Sequence, residues 1–386
     1  MNRVCSIFAQ VLRLLPRAEF EQAVRQHQTE KHAKGFSCWT QMVAMLFCQL
    51  GQARSLREIV GGLASSEGKL KHLGVSKAPK RSTLAYANEH RGWELYQTLF
   101  SRLQAKFQAA MGGHTRFRFR NKLVSLDGTS IDLCASLFDW ARYKRTKGAV
   151  KLHLLLDHEG YLPSFAVLTE GNVPELKVAR QMAFGPGTIV VMDRGYIDYL
   201  WMHRLTQTGV FFVTRMKADM KYRVLRKRPT PRRGAVRRDE EIQIRSATHG
   251  VTLHLRRVVI WNAEKQEKLT FLTNQLGFAA STIAAIYRDR WQIESFFKSL
   301  KQLLRVKTFV GTSANALKIQ IWTALIAMLI LKFLQWRARF GWSLSNLVAL
   351  LRYQLFSYRD LYEWLDDPFQ PPPALASLAE QLVLEF

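Results

Sequence analysis

NKLVSLD (Asn121 to Asp127), VKLHLLLD (Val150 to Asp157) and LPSFAVLTEG (Leu162 to Gly171) are three short apolar runs in succession, each closed by polar or glycine-containing turn residues. Such runs read as strands, and three in a row read as a meander. A helical stretch from Pro174 to Phe184 follows, with Pro174 at its start, where a missing N–H costs no hydrogen bond. GTIVVMDRGY (Gly187 to Tyr196) then supplies a β-branched run ending in an aspartate. Tyr196 to Gln207 reads as a second helix, and VFFVTRMK (Val210 to Lys217) as another buried strand.

Three strands, helix, strand, helix, strand is the order of an α/β, ribonuclease-H-like core, in which polar ends of central strands carry an acidic site. Upstream, TQMVAMLFCQLG (Thr40 to Gly51) and GWELYQTLFSRLQAKF (Gly92 to Phe107) have a helical pattern. Between Lys217 and Ser281 the pattern is β again, in IQIRSA, VTLHLRRVVIW and KLTFLTNQ, and this stretch interrupts the core. Within it, Lys221 to Arg238 holds nine Lys or Arg and no Asp or Glu, together with Pro229, Pro231 and Gly234. That composition cannot form a packed core of its own, and a mobile basic loop is expected. From Ser281 to about Arg339 the chain is helical again, and short helices around Pro371, Pro372 and Pro373 are expected to close it.

The 386 residues carry 57 Lys plus Arg against 30 Asp plus Glu, a formal charge of +27, which calls for a polyanionic partner. The cations are spread along the chain rather than gathered in one juxtamembrane cluster, so nucleic acid is favoured over a membrane surface. IQIWTALIAMLIL (Ile319 to Leu331) is bounded by Lys318 and Lys332, falls short of the ~18 to 20 residues that span a bilayer, and reads as a buried helix. Arg3, Arg13 and Arg17 interrupt the apolar N-terminus and no small-residue cleavage site follows, so a cytoplasmic protein is expected. Cys5, Cys38, Cys48 and Cys134 have no metal-ligand spacing and are expected to be reduced thiols. The expected division is a helical DNA-binding region (1–112), a first part of the core (113–216), a β-rich insertion with the basic loop (217–280), a core helix (281–340) and a helical C-terminal region (341–386).

YRDRWQIESFFKSLKQLL (Tyr287 to Leu304) carries the densest chemistry. At about 100° per residue, Tyr287, Arg290, Trp291, Glu294, Lys298 and Lys301 share one face of a helix. Ile286, Ile293, Phe297, Leu300 and Leu304 form a neighbouring stripe fit to pack on a sheet. One acid therefore stands among cations and aromatics, although a solvated row of salt bridges through Arg290, Glu294 and Lys298 would give the same pattern. Asp127 ends its strand and is followed by Gly128 and Thr129; an Asx turn is the plainer explanation, and Asp132 is a local rival. Asp193 ends a buried strand, where a carboxylate is costly unless ligated or paired, and Arg194 is one possible partner. Converging carboxylates suit phosphodiester chemistry, because two metal ions about 3.5 to 4 Å apart can activate the attacking oxygen and stabilise the leaving one.

These residues resemble those of the insertion-sequence transposases of the IS4 family, which includes the transposon Tn5 enzyme. The family signature of Tyr, two residues, Arg, three residues, Glu, six residues, Lys is matched by Tyr287, Arg290, Glu294 and Lys301. SLDGT at Asp127 and DRGY at Asp193 also fit, as does the gap of 294 minus 193, or 101 residues, that accommodates a β-rich insertion. The resemblance covers roughly residues 113 to 340. It implies catalytic and metal-binding roles for Asp127, Asp193 and Glu294 with two Mg²⁺ or Mn²⁺ ions, and DNA contacts from Tyr287, Arg290, Trp291, Lys298 and Lys301. It also implies terminal inverted repeats and target DNA as partners, a homodimer in the DNA complex, and cut-and-paste cleavage and joining, through a DNA hairpin in relatives. A ribonuclease-H-like nuclease without joining activity, and a non-catalytic DNA-binding derivative of a transposase, are the alternatives; the latter would have no need of the acids.

Overall fold

A computed structural model describes residues 5–369 except 32, 34, 67, 113–115, 134–137, 139, 141, 145–146, 232–233, 247, 249 and 305–308; the side chains of 142–144, 147, 303 and 304 are also left out. Cys134 and the proline run at 371–373 lie outside the described residues. The chain begins with six helices: α1 (Ile7–Leu12), α2 (Arg17–Gln26), α3 (Cys38–Leu50), α4 (Leu56–Ala64), α5 (Arg81–His90) and α6 (Glu94–Met111). Serines start three of them, Ser6 accepting from the Ala9 amide, Ser37 from the Thr40 amide and Ser55 from the Glu58 amide.

The β-rich part opens with β1 (Leu123–Leu133), β2 (Arg142–Lys144), β3 (Lys147–Asp157) and β4 (Leu162–Glu170). It continues through α7 (Glu175–Ala179), β5 (Ile189–Met192), α8 (Tyr199–Gln207) and β6 (Phe211–Arg215). β7 (Arg223–Lys227), β8 (Val236–Ser246), β9 (Val251–Asn262) and β10 (Glu267–Thr273) follow, then α9 (Ala280–Asp289) and α10 (Trp291–Leu304). The described residues close with α11 (Ala314–Arg337), α12 (Leu344–Gln354) and α13 (Leu361–Asp366).

Two compact units result. One is the N-terminal stretch up to Leu103 together with the C-terminal stretch from Asn315; the other begins at Gln104 and takes in the intervening β-rich chain. In the first unit, α11 is 24 residues long and apolar enough to cross a membrane, but 83% of its most apolar window is buried inside the fold. It is that unit's core helix: Trp322 stacks on Trp93 at 6.3 Å and meets Phe100 at 5.3 Å, and the Gln49 amide donates to the Gln320 carbonyl.

The second unit is built on a mixed sheet in the order β2-β3-β1-β5-β6-β10-β9-β8-β7, with β4 also paired to β3. β1, β3 and β4 are antiparallel neighbours, whereas β5 and β6 run parallel to β1. Alternation along the strands divides two apolar layers. Val124, Leu126, Val190 and Met192 face Trp201, Met202 and Leu205 of α8; Leu123, Ile189 and Val191 face Ile283 and Ile286 of α9.

Several boundaries differ from expectation. α7 has only five residues, with Pro174 just before it, and α8 starts at Tyr199, where Asp198 caps the Trp201 amide. The β-rich stretch continues the core sheet, because β10 pairs antiparallel with β6. The basic segment from Lys221 is in part strand: Arg223–Lys227 form β7 and β8 begins at Val236, with the described residues between them left as a non-strand connection. Its own composition carries no acid, but pairing sets Arg226 opposite Glu241 and Lys227 opposite Glu240, so the opposing charges come from the neighbouring strand.

Arg256 of β9 is 2% exposed and bonds both carboxylate oxygens of Asp239, at 2.8 and 2.6 Å, while its remaining nitrogen donates to the Leu276 and Phe278 carbonyls. Removing one partner strands the other charge in a dry site. Asp239→Ala should therefore cost about 3 to 5 kcal/mol, read as a lowered urea midpoint; a loss under about 1 kcal/mol would mean that water solvates the guanidinium.

Candidate active site

The parallel pairing of β1 with β5 ends at Leu126 opposite Met192. The next residues are Asp127 and Asp193, so two carboxylates leave neighbouring parallel strands side by side. Alternation turns both toward the face covered by α9. β1 does not end at Asp127 as expected but runs on to Leu133, because β3 continues to pair with it on the other side, with Asp127 opposite Leu154. Asp132 is exposed farther along the same strand.

The expected single helix from Tyr287 to Leu304 is two, with Arg290 at the junction of α9 and α10. The apolar stripe packs as its spacing requires, Ile286, Ile293 and Leu300 being at most 1% exposed. Arg290 lies between two of the acids: Nη1 is 3.4 Å from Asp127 Oδ2, and Nη2 is 2.5 Å from Glu294 Oε1. The guanidinium carbon also stands 5.5 Å from the Tyr287 ring centre. The Tyr287 hydroxyl in turn donates to Asp193 Oδ1 at 3.5 Å. Arg194 is exposed and, among the described residues, makes no ion pair with Asp193.

Asp127, Gly128, Thr129, Glu294, Lys298 and Lys301 line one open cleft. Asp193 is tied to this group through Tyr287, and Trp291 stands apart, 62% exposed. Glu175 was missed by sequence reasoning. A Cβ placed on Gly128 would come within 3.0 to 3.1 Å of its side chain, and Lys151 Nζ is 3.6 Å from its Oε1. Nothing in NVPELK marks it out; only the packing of α7 against β1 brings it there.

Burial raises the Asp127 carboxyl first of all. The Gly128 amide and Arg290 act against it, Glu175 and Glu294 add to it, and the net result is about 6 instead of 3.8. Among the described residues no three His, Cys, Asp or Glu already stand together as a metal cage. The donor set nonetheless suits a hard divalent cation, being carboxylate oxygen throughout, and Arg290 supplies the positive charge that holds Asp127 and Glu294 together.

Residues 118–330 match the family described as Transposase DDE domain, and residues 4–76 match a domain of unknown function (DUF4372). A Sinorhizobium fredii protein named as transposase y4zB is 30% identical over 292 residues, spanning 74% of this chain and 80% of its own. A Geobacillus stearothermophilus protein named for insertion sequence element IS5377 is 29% identical over 245 residues, 62% of this chain and 64% of its own. A Synechocystis protein named for insertion sequence element IS4SA is 30% identical over 153 residues, 38% and 41% of the two chains. Among solved structures, the piggyBac transposase synaptic complex with hairpin DNA superposes at a TM-score of 0.43 with 9% identity, over 95% of this chain and 81% of that one.

The raised Asp127 pKa has a thermodynamic sign. A carboxyl that titrates higher in the folded state favours folding below the unfolded pKa, and that advantage is lost as pH rises through the folded value of about 6. At pH 7 the ionised Asp127 thus weakens the fold. Asp127→Asn should be more stable than the parent protein at pH 7, by on the order of 2 kcal/mol, with the difference gone below about pH 4. Equal unfolding midpoints at both pH values would contradict this.

Proposed function

The chain belongs to the Transposase DDE domain family, and from that premise we propose that it cleaves DNA at the ends of an insertion sequence and joins those ends to target DNA. The observation that carries this reading is the register of β1 against β5, which sets Asp127 beside Asp193 on the face where Arg290 and Glu294 stand. The antiparallel β4-β3-β1 set continued by parallel β5 and β6 supports a ribonuclease-H-like core, with β7 to β10 as its insertion. The helical regions 1–112 and 341–386 flank it, the former as the DNA-binding region.

In this reading Asp127, Asp193 and Glu294 hold two Mg²⁺ or Mn²⁺ ions. Bound there, divalent ions supply an activated attacking oxygen and offset the charge on the leaving one. The protein's own cations do the rest. Lys298 and Lys301, on the cleft that holds Asp127 and Glu294, receive the phosphates flanking the scissile bond. Arg290 keeps two like-charged acids at fixed separation, and Tyr287 orients Asp193. The partners are terminal inverted repeats and target DNA, engaged as a homodimer in a prokaryotic cytoplasm.

Incubating the protein with Mg²⁺ and linear DNA carrying the ends of its own element should give nicked, hairpin and joined products; intact DNA would refute the reading. Asp127→Ala, Asp193→Ala and Glu294→Ala should each abolish cleavage and keep binding to the ends, since the protein's cations on the phosphates supply the affinity. Asp132→Ala should cleave normally. Cleavage retained by any of the first three would remove that residue from the site.

The β7–β8 hairpin tests the DNA path. All five residues of β7, including Arg223, Arg226 and Lys227, are exposed. Neutralising four cations between Lys221 and Arg238 should flatten the salt dependence of log K by about 0.9 for each phosphate that is no longer neutralised, and an unchanged slope would take the hairpin off the DNA. Trp291 offers a ring to a base, a stacking interaction of about 1 to 3 kcal/mol. Trp291→Ala should fold, nick the first strand and falter at the later step that requires an unstacked base; completion of both cleavages at the parent rate would exclude that role.

A further inference from the structure

Asp127 lies on β1, while Arg290 and Glu294 lie on the α9–α10 pair, so the site depends on how firmly these separate elements are held together. A buried polar chain connects them. Ser125 Oγ, two residues before Asp127 and on the same face of β1, is 2.7 Å from His158 Nε2. His158 Nδ1 is 2.6 Å from Oδ2 of Asp289, the last residue of α9 and the one before Arg290. Asp289 also accepts from Arg116 Nη1 at 2.7 Å and from the Tyr161 hydroxyl at 3.1 Å. Its side chain has no exposed surface, and Ser125 and His158 are buried with it. Burial alone would raise the Asp289 carboxyl, but the donors His158, Tyr161 and Arg116 outweigh it and hold it below the usual carboxylate range.

Serine, histidine and aspartate in this order suggest a nucleophilic triad, yet Ser125 is 0% exposed and no substrate reaches its Oγ. The arrangement orients rather than attacks. The turn between β3 and β4 is shaped for that purpose: His158 is anchored by its amide to the Leu123 carbonyl of β1, and Tyr161 is held at a φ of 53°, in the left-handed region that residues with a side chain rarely adopt. A fully satisfied buried polar network rigidifies the elements it joins, and removing any one donor leaves the carboxylate partly unsatisfied.

We propose that Ser125, His158, Tyr161 and Asp289 are positioning residues that lock the α9–α10 junction to β1 and so set the separation of Asp127 from Arg290 and Glu294. Only the predicted effect on cleavage rests on the function proposed above; the effect on the junction does not. Asparagine at 158 can place its amide near the position of Nδ1 and keep the bond to Asp289, whereas glutamine reaches the position of Nε2 and keeps only the bond to Ser125. The test compares Asp289→Asn, Tyr161→Phe, His158→Gln and His158→Asn with Leu253→Ala, a cavity in the apolar layer under α8 that serves as a stability control.

Hydrogen exchange followed by mass spectrometry should show residues 286–294 exchanging roughly tenfold faster in the first three variants, the scale of one charge-assisted hydrogen bond, with β8 to β10 unchanged. Single-turnover cleavage at saturating DNA should fall by a similar factor at constant Kd for DNA, and His158→Asn should retain most of both properties. Unchanged exchange at the junction, equal behaviour of the Asn and Gln variants at 158, or the same local opening in Leu253→Ala would overturn the proposal. If Asp289→Asn does not fold, the Tyr161 and His158 variants decide. Absence of cleavage in the parent protein would refute the proposed function, and the exchange pattern would then decide the positioning role by itself.

Discussion

Carboxylates that converge repel one another, and the site in the second unit is organised around that fact. Two unit charges about 4 Å apart interact by roughly 4 kcal/mol at the effective dielectric of a protein surface, comparable to a large share of a domain's net stability. The sheet imposes the convergence, since a parallel register that ends at Leu126 and Met192 leaves Asp127 and Asp193 no choice of neighbour. Arg290 offsets it by lying between Asp127 and Glu294, itself only 9% exposed and therefore available to little else. Burial first, with smaller contributions from Glu175 and Glu294, still leaves Asp127 reluctant to ionise. Stability is thus surrendered locally, where charge must be concentrated, and regained in the two apolar layers on either side of the sheet.

Local pattern was enough to find the elements that build this edge. β1, β3, β4, β5 and β6 are legible because their β-branched and apolar runs are short and are closed by turn residues. The spacing of Tyr287, Arg290, Glu294 and Lys301 was legible because a helix converts sequence intervals directly into a face. What escaped depends on partners distant in sequence. The segment from Lys221 looks unfoldable by itself, and the acids that stabilise it as a hairpin lie on β8, across a ladder no composition reveals. The break at Arg290 lies beside Asp289, whose partners Arg116, His158 and Tyr161 are 173, 131 and 128 positions away. Glu175 reaches Gly128 only through tertiary packing.

Chemistry and scaffold are also divided between the units in an uneven way. Within the second unit, acids and cleft cations sit on elements that are either strands of the sheet or helices packed on it, which limits their freedom to that of the core. The basic hairpin is at the far end of the same sheet, where β7 is an edge strand with every residue exposed. Edge strands invite unwanted pairing, and a strand with three cations among five residues discourages it. The same charges that suit a polyanion therefore also protect the edge when none is bound.

The first unit is discontinuous in sequence, and that has a consequence during synthesis. α3 is buried along almost its whole length, yet the core helix packed in its unit, α11, begins only at Ala314, after the entire β-rich unit has been made. At about 5 to 20 residues per second, the helices up to α6 wait on the order of ten seconds or more on the ribosome before α11 emerges. Throughout that interval Trp93 and Phe100 lack the Trp322 ring that they meet in the fold. A growing chain of this design calls for chaperone shielding of its first hundred residues, and a truncated translation product would retain the sticky half of a core without the helix that completes it.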